Sequence, residues 1–105
     1  MSITEFLKKL PSAVNQDAID GMECTVQLNI SEPAILTVGN GQVAVQPGQA
    51  EAPEVTLTVS DANLIKLLKG ELGGVTAYMT GKLQVDGDIM LAKQLPEFFD
   101  SRKLA

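Results

Sequence analysis

Histidine and tryptophan are absent from the 105 residues, cysteine occurs once, and aromatic side chains amount to 4%. Each gap closes a class of function. Without histidine the chain has neither the usual general base near neutral pH nor the commonest metal ligand. A single cysteine, Cys24, rules out an internal disulfide and any multi-cysteine metal site, and it fits a reducing compartment. No basic run is present and the net charge is −5, so binding to nucleic acid or tight docking on anionic membranes is disfavoured. No stretch approaches the roughly 20 apolar residues of a membrane span. The N-terminal residues also lack the charged start, apolar run and small-residue cleavage site of a secretory leader. A cytoplasmic location, with at most transient membrane contact, is therefore expected.

What is present is a well-patterned globular sequence, 45% apolar and 20% charged, with the length of a single domain over residues 1–105. Ser2 and Glu5 have capping-box spacing, and Ile3, Phe6, Leu7, Leu10 and Val14 recur at helical period. Pro11 is expected to break or kink this first helix. Cys24, Val26, Leu28 and Ile30 alternate with polar residues as a strand, with Cys24 pointing inward as a small hydrophobe. Ser31-Glu32-Pro33 leads into a second strand, Ala34 to Val38, and Gly39-Asn40-Gly41 signals a hairpin into a third, Gln42 to Gln46. After the loop Pro47 to Pro53, Val55, Leu57 and Val59 mark a fourth strand. Ser60 is positioned to cap a helix carrying Leu64, Ile65, Leu67 and Leu68, which Gly70 ends. A short helical piece, Val75 to Thr80, precedes a fifth strand holding Leu83 and Val85. Beyond Asp86-Gly87-Asp88 the period lengthens to that of an apolar helix, and Pro96 opens a last short helix with Phe98 and Phe99. The order of elements indicates an α+β fold: a mostly antiparallel sheet, covered by helices on one face and wet on the other.

Candidate chemistry is sparse. Asp86 and Asp88 flank a glycine, but Ile89 to Ala92 is apolar where a calcium loop would carry further ligands. A turn and a helix cap account for the pair. The glycines at 39–41 and 70–74 match no phosphate-cradling fingerprint, and the serines have neither a nucleophile elbow nor a histidine partner. No enzyme activity, metal or cofactor is expected. The remaining feature is an apolar surplus, Ile89, Met90, Leu91, Ala92, Leu95, Phe98 and Phe99, wider than one face of a small helix needs.

The run Met79-Thr80-Gly81-Lys82-Leu83-Gln84-Val85-Asp86-Gly87-Asp88, followed by its aliphatic helix, resembles the sterol carrier protein type two family of lipid-binding domains. The passage from Val55 to Gly70, alternating threonines and then a serine-capped apolar helix, is similar to the same family. The resemblance covers most of the chain from Cys24 onward. It implies a layered sandwich of about five strands with helices over one face. It also implies an apolar tunnel between sheet and helices for fatty acids, acyl-CoA, phospholipids or sterols.

On this reading the chain is a non-enzymatic lipid carrier, and Val26, Leu28, Leu57, Leu68, Tyr78, Met79, Ile89, Met90 and Phe98 are expected to line the site. The opening is expected near the last helix, with Phe98 and Phe99 as a lid. An enclosed void of roughly 200 Å³ would cost on the order of 5 kcal/mol, comparable to the whole stability of such a domain. The tunnel is therefore expected to be collapsed or filled. The alternative is an interaction module whose apolar groove holds a protein partner or a second copy, for example a scaffold for lipid or isoprenoid-quinone enzymes.

Overall fold

The computed structural model describes residues 2–104. Its frame is a five-stranded sheet in the order β3-β2-β1-β4-β5. The strands are β1 (Cys24–Asn29), β2 (Ala34–Gly39), β3 (Gln42–Pro47), β4 (Val55–Val59) and β5 (Leu83–Gly87). The pairs β1–β2, β2–β3 and β4–β5 are antiparallel, whereas β1 and β4 run parallel. Strands β3 and β5 are the edges. The β2–β3 hairpin closes through Asn40 and Gly41, both at positive φ (54° and 70°), as a two-residue turn matched to strand twist requires.

Alternation along the strands sends Cys24, Val26, Leu28, Leu36, Val38, Val55 and Leu57 to one buried face. The helices lie on that face. Helix α1 (Ile3–Lys9) begins where the Ser2 hydroxyl accepts from the Glu5 amide, and at Leu10–Ser12 it tightens into a 3-10 turn containing Pro11, the expected break. A one-turn helix, α2 (Gln16–Ile19), follows; sequence periodicity cannot reveal a helix so short. The Gln16 side-chain amide donates to the Gly41 carbonyl at 2.7 Å, fixing this segment to the hairpin. Helix α3 (Asp61–Leu68) is capped by Ser60. Its Asp61 carboxylate accepts from the Ser31 amide (2.9 Å) and hydroxyl (2.5 Å), which locks the β1–β2 connection against the helix start.

Helix α4 (Gly74–Met79) and helix α5 (Ile89–Gln94) both pack on β5. The segment after Pro96 departs from expectation. Residues Leu95–Phe98 form a 3-10 turn, Phe99 is extended, and a further turn, α6 (Ser101–Leu104), follows. Phe99 bridges to Val14. The Asn15 amide donates to the Phe98 carbonyl (2.7 Å) and the Asp100 amide to the Ala13 carbonyl (2.8 Å). These strand-like bonds to the N-terminal segment hold the backbone extended where a helix was expected.

The opposite face of the sheet is mostly open, with one exception. Gln27 points there yet is only 3% exposed, because the loop after β3 folds across it. Its side-chain amide donates to the carbonyls of Gly48 (3.0 Å) and Ala34 (3.3 Å), and its carbonyl accepts from the Ala50 amide (2.6 Å). A buried polar group needs such partners.

Candidate functional site

Beside the last strand the helix layer does not close. Between α4, β5 and α5 runs a groove of about 260 Å³, floored by Leu83 and Val85 and walled by Val75 and Tyr78 on one side and Ile89 and Ala92 on the other. The spacing places these side chains. Val75 and Tyr78 are three apart on α4, Ile89 and Ala92 three apart on α5, and Leu83 and Val85 share one face of β5. Among the described residues, all the exposed large apolar side chains, Val75, Tyr78, Met79, Ile89 and Met90, lie on these two helices. An apolar cluster of this kind on a polar surface marks a binding face.

The turn Asp86-Gly87-Asp88 builds one wall. Gly87 has φ +114°, and a Cβ there would lie 2.5 Å from the Glu54 carbonyl oxygen. Only glycine permits that approach. The Asp88 amide then donates to the Glu54 carbonyl at 2.9 Å, and the Asp88 carboxylate accepts from the Leu91 amide at 3.1 Å as the cap of α5. The pair thus orients a helix.

The nine residues expected to line a site fall in three places. Val26, Leu28, Leu57, Leu68 and Phe98 are buried in the main core. Tyr78 and Ile89 line the groove. Met79 and Met90, 76% and 62% exposed, stand on the same two helices but outside the groove walls. Phe98 and Phe99 are both buried, so the expected lid is instead part of the core, held by the bridge to Val14. Sequence reasoning missed Gly74, Val75, Leu83, Val85, Ala92 and Lys93 as groove residues. The three-residue spacing of Val75 and Tyr78, and of Ile89 and Ala92, was the available signal.

A second groove, about 430 Å³, lies at the other edge, between α1 and the ends of β2 and β3, with Ile3, Leu7, Pro33 and Val45 in its walls and Lys8 and Glu32 beside them. Among the described residues no exposed large apolar side chain rims it. Cys24 is buried, and its thiol is pushed above its usual range, first by burial and then by the Glu54 and Asp88 carboxylates. Both effects disfavour the thiolate, the form that reacts. Among the described residues no cluster of three or more potential metal ligands occurs, and no helix is long and apolar enough to cross a membrane.

Helices on one face of a five-stranded mixed sheet, with an apolar groove at the helix–sheet seam, define a layered α+β domain. The chain belongs to the SCP-2 sterol transfer family, whose family model matches residues 3–100, and hence to a family of lipid-binding and lipid-transfer domains. It is 35% identical over 66 residues to peroxisomal multifunctional enzyme A of Dictyostelium discoideum, covering 63% of this chain and 15% of that protein. It is 33% identical over 61 residues to sterol carrier protein 2 of Bos taurus, covering 58% of this chain and 11% of that one. The chain thus spans only a small part of the curated relatives it matches. The solution structure of palmitated SCP2L2 from Aedes aegypti has a TM-score of 0.71 at 27% identity, covering 92% of this chain and 93% of that one.

Proposed function

We propose that the chain is a non-enzymatic carrier that holds a single-chain lipid in the groove between α4, β5 and α5. The observation that carries this reading is the gathering of the exposed large apolar side chains on the two helices that wall the groove. The Aedes neighbour, described as palmitated, supports a linear acyl chain as the ligand type. Each methylene transferred from water to such a wall contributes about 0.8 kcal/mol, so a partly buried chain reaches micromolar affinity after the costs of association.

The test is titration of delipidated protein with a fluorescent fatty acid, followed by displacement with unlabelled fatty acid. Saturable, reversible binding is expected. Ile89→Glu should abolish it, because the substitution puts a charge in the groove wall. Met90→Glu, one residue away and outside the wall, should weaken it far less. Both positions are exposed, so the fold should survive either change. Equal loss in the two variants would mean that the outer patch, not the groove, holds the ligand.

A second reading is favoured by one observation: β5 is an edge strand running beside the apolar patch, which suits a partner strand or a second copy. Sizing at micromolar concentration separates the two. A monomer is expected, and a dimer that protects α4 and α5 would favour the interaction module.

A further inference from the structure

We propose that Lys93 receives the head of the lipid held in the groove and so sets a preference for an anionic head over a neutral one on the same tail. This rests on the groove being the lipid site. Among the described residues that line the groove Lys93 is the only charged one; the others are Gly, Ala, Val, Leu, Ile and Tyr. Lys93 follows Ile89 by four residues on α5 and lines the groove with it, a placement from which a lysine can lay its stem on an apolar wall and keep its ammonium in water. Among the described residues no carboxylate, Glu97 four residues on included, lies within ion-pair distance of it. Asp86 pairs with Thr56 across the sheet on the strand face opposite Leu83 and Val85, and the Asp88 carboxylate is turned onto the Leu91 amide. A cation on the wall of an apolar groove is complementary to an anion with a hydrocarbon tail.

Size limits the tail. A cavity of about 150 Å³ takes up a six-carbon benzene ring; on that scale a groove of about 260 Å³ takes roughly ten carbons. A linear chain of about ten carbons matches that volume, and a bulkier skeleton would stand partly outside the groove.

A lysine in the last turn of a helix also complements the helix dipole, a role indifferent to the ligand. The experiment therefore compares decanoate with decanol, which share a tail and differ in charge, using calorimetry and amide chemical-shift mapping on wild type, Lys93→Gln and Lys93→Arg. Because Lys93 is solvent-exposed, the preference for decanoate should be modest, about fivefold at low salt, and should shrink as salt is added. In K93Q the decanoate-to-decanol ratio should collapse toward about one, and K93R should restore it. Equal affinity of the two ligands for wild type, or a ratio unchanged in K93Q, overturns the assignment of Lys93 while leaving the groove as the lipid site. Failure of both ligands to shift the amides of α4, β5 and α5 removes the groove reading itself, and this inference with it.

Discussion

At the scale of single residues, the most consequential side chain outside the groove is Gln27. Its three hydrogen bonds, to Ala34, Gly48 and Ala50, hold a glycine-bearing loop on the face of the sheet that has no helices. Replacing it with leucine keeps the volume but strands buried backbone groups, at about 1–3 kcal/mol. Urea unfolding of Gln27→Leu should show that loss, and hydrogen exchange should show the Ala50 amide deprotected. Cys24 sets a pH dependence. Its pKa is raised from 9.0 in the folded state by burial, then by Glu54 and Asp88. A raised acid pKa means that the unfolded chain gives up this proton first as pH rises. Cys24 therefore withholds no stability below the unfolded value, and stability falls as pH climbs from there through the folded value. Between about pH 8 and 10.5, spanning the ordinary thiol range, Cys24→Ala should show a shallower decline in unfolding free energy than wild type. An identical slope would mean that the thiol does not contribute.

At the scale of elements, the groove depends on how β5 hands over to α5. Gly87→Ala forces a Cβ against the Glu54 carbonyl and a side chain onto a positive φ, so it should cost about 2–3 kcal/mol and displace α5. Asp88→Ala removes only the cap, at about 1 kcal/mol, whereas Asp88→Asn should be nearly neutral. Thermal unfolding of the three variants ranks them, and fatty-acid affinity should follow the same order if α5 is a wall. Much of this level was legible in the sequence. The strands showed their period of two, Asn40-Gly41 its turn, Ser60 and Asp88 their caps, and Pro11 its break, because each is decided by near neighbours in the chain. The sheet order was not legible, since β4 pairs parallel to β1 through a crossover whose register no local pattern encodes. Nor was the division of apolar residues between core and groove. Leu57 and Val85 have the same alternation, but the first stands on a central strand beneath the helix layer and the second on an edge strand where that layer parts. Val75 and Lys93 went unnoticed for the same reason: a single apolar or basic residue carries no sign of what faces it.

At the scale of the whole molecule, the question is how far a lipid penetrates. Among the described residues Phe6, Leu28, Leu64, Leu68 and Phe98 are fully buried between sheet and helices, and the two grooves lie at opposite edges of the sheet. An open groove avoids the cost of an enclosed void, and a chain lying in it need not part that core. Driving a longer chain inward would require opening room among close-packed side chains, against a cavity cost of about 24 cal/mol per Å³. Affinity should then depend on length in two regimes. From hexanoate to about decanoate, each added methylene should strengthen binding by up to about fourfold, the equivalent of about 0.8 kcal/mol. From dodecanoate to palmitate the gain should level off. Thermal stability provides the parallel readout: a ligand at tenfold its Kd adds about 1.4 kcal/mol, enough to raise the Tm of a domain this size by about 6–11 °C. A series in which affinity keeps rising by the full increment to sixteen carbons would show instead that the helices separate from the sheet and that Leu28, Leu68 and Phe98 take part in lining the bound chain.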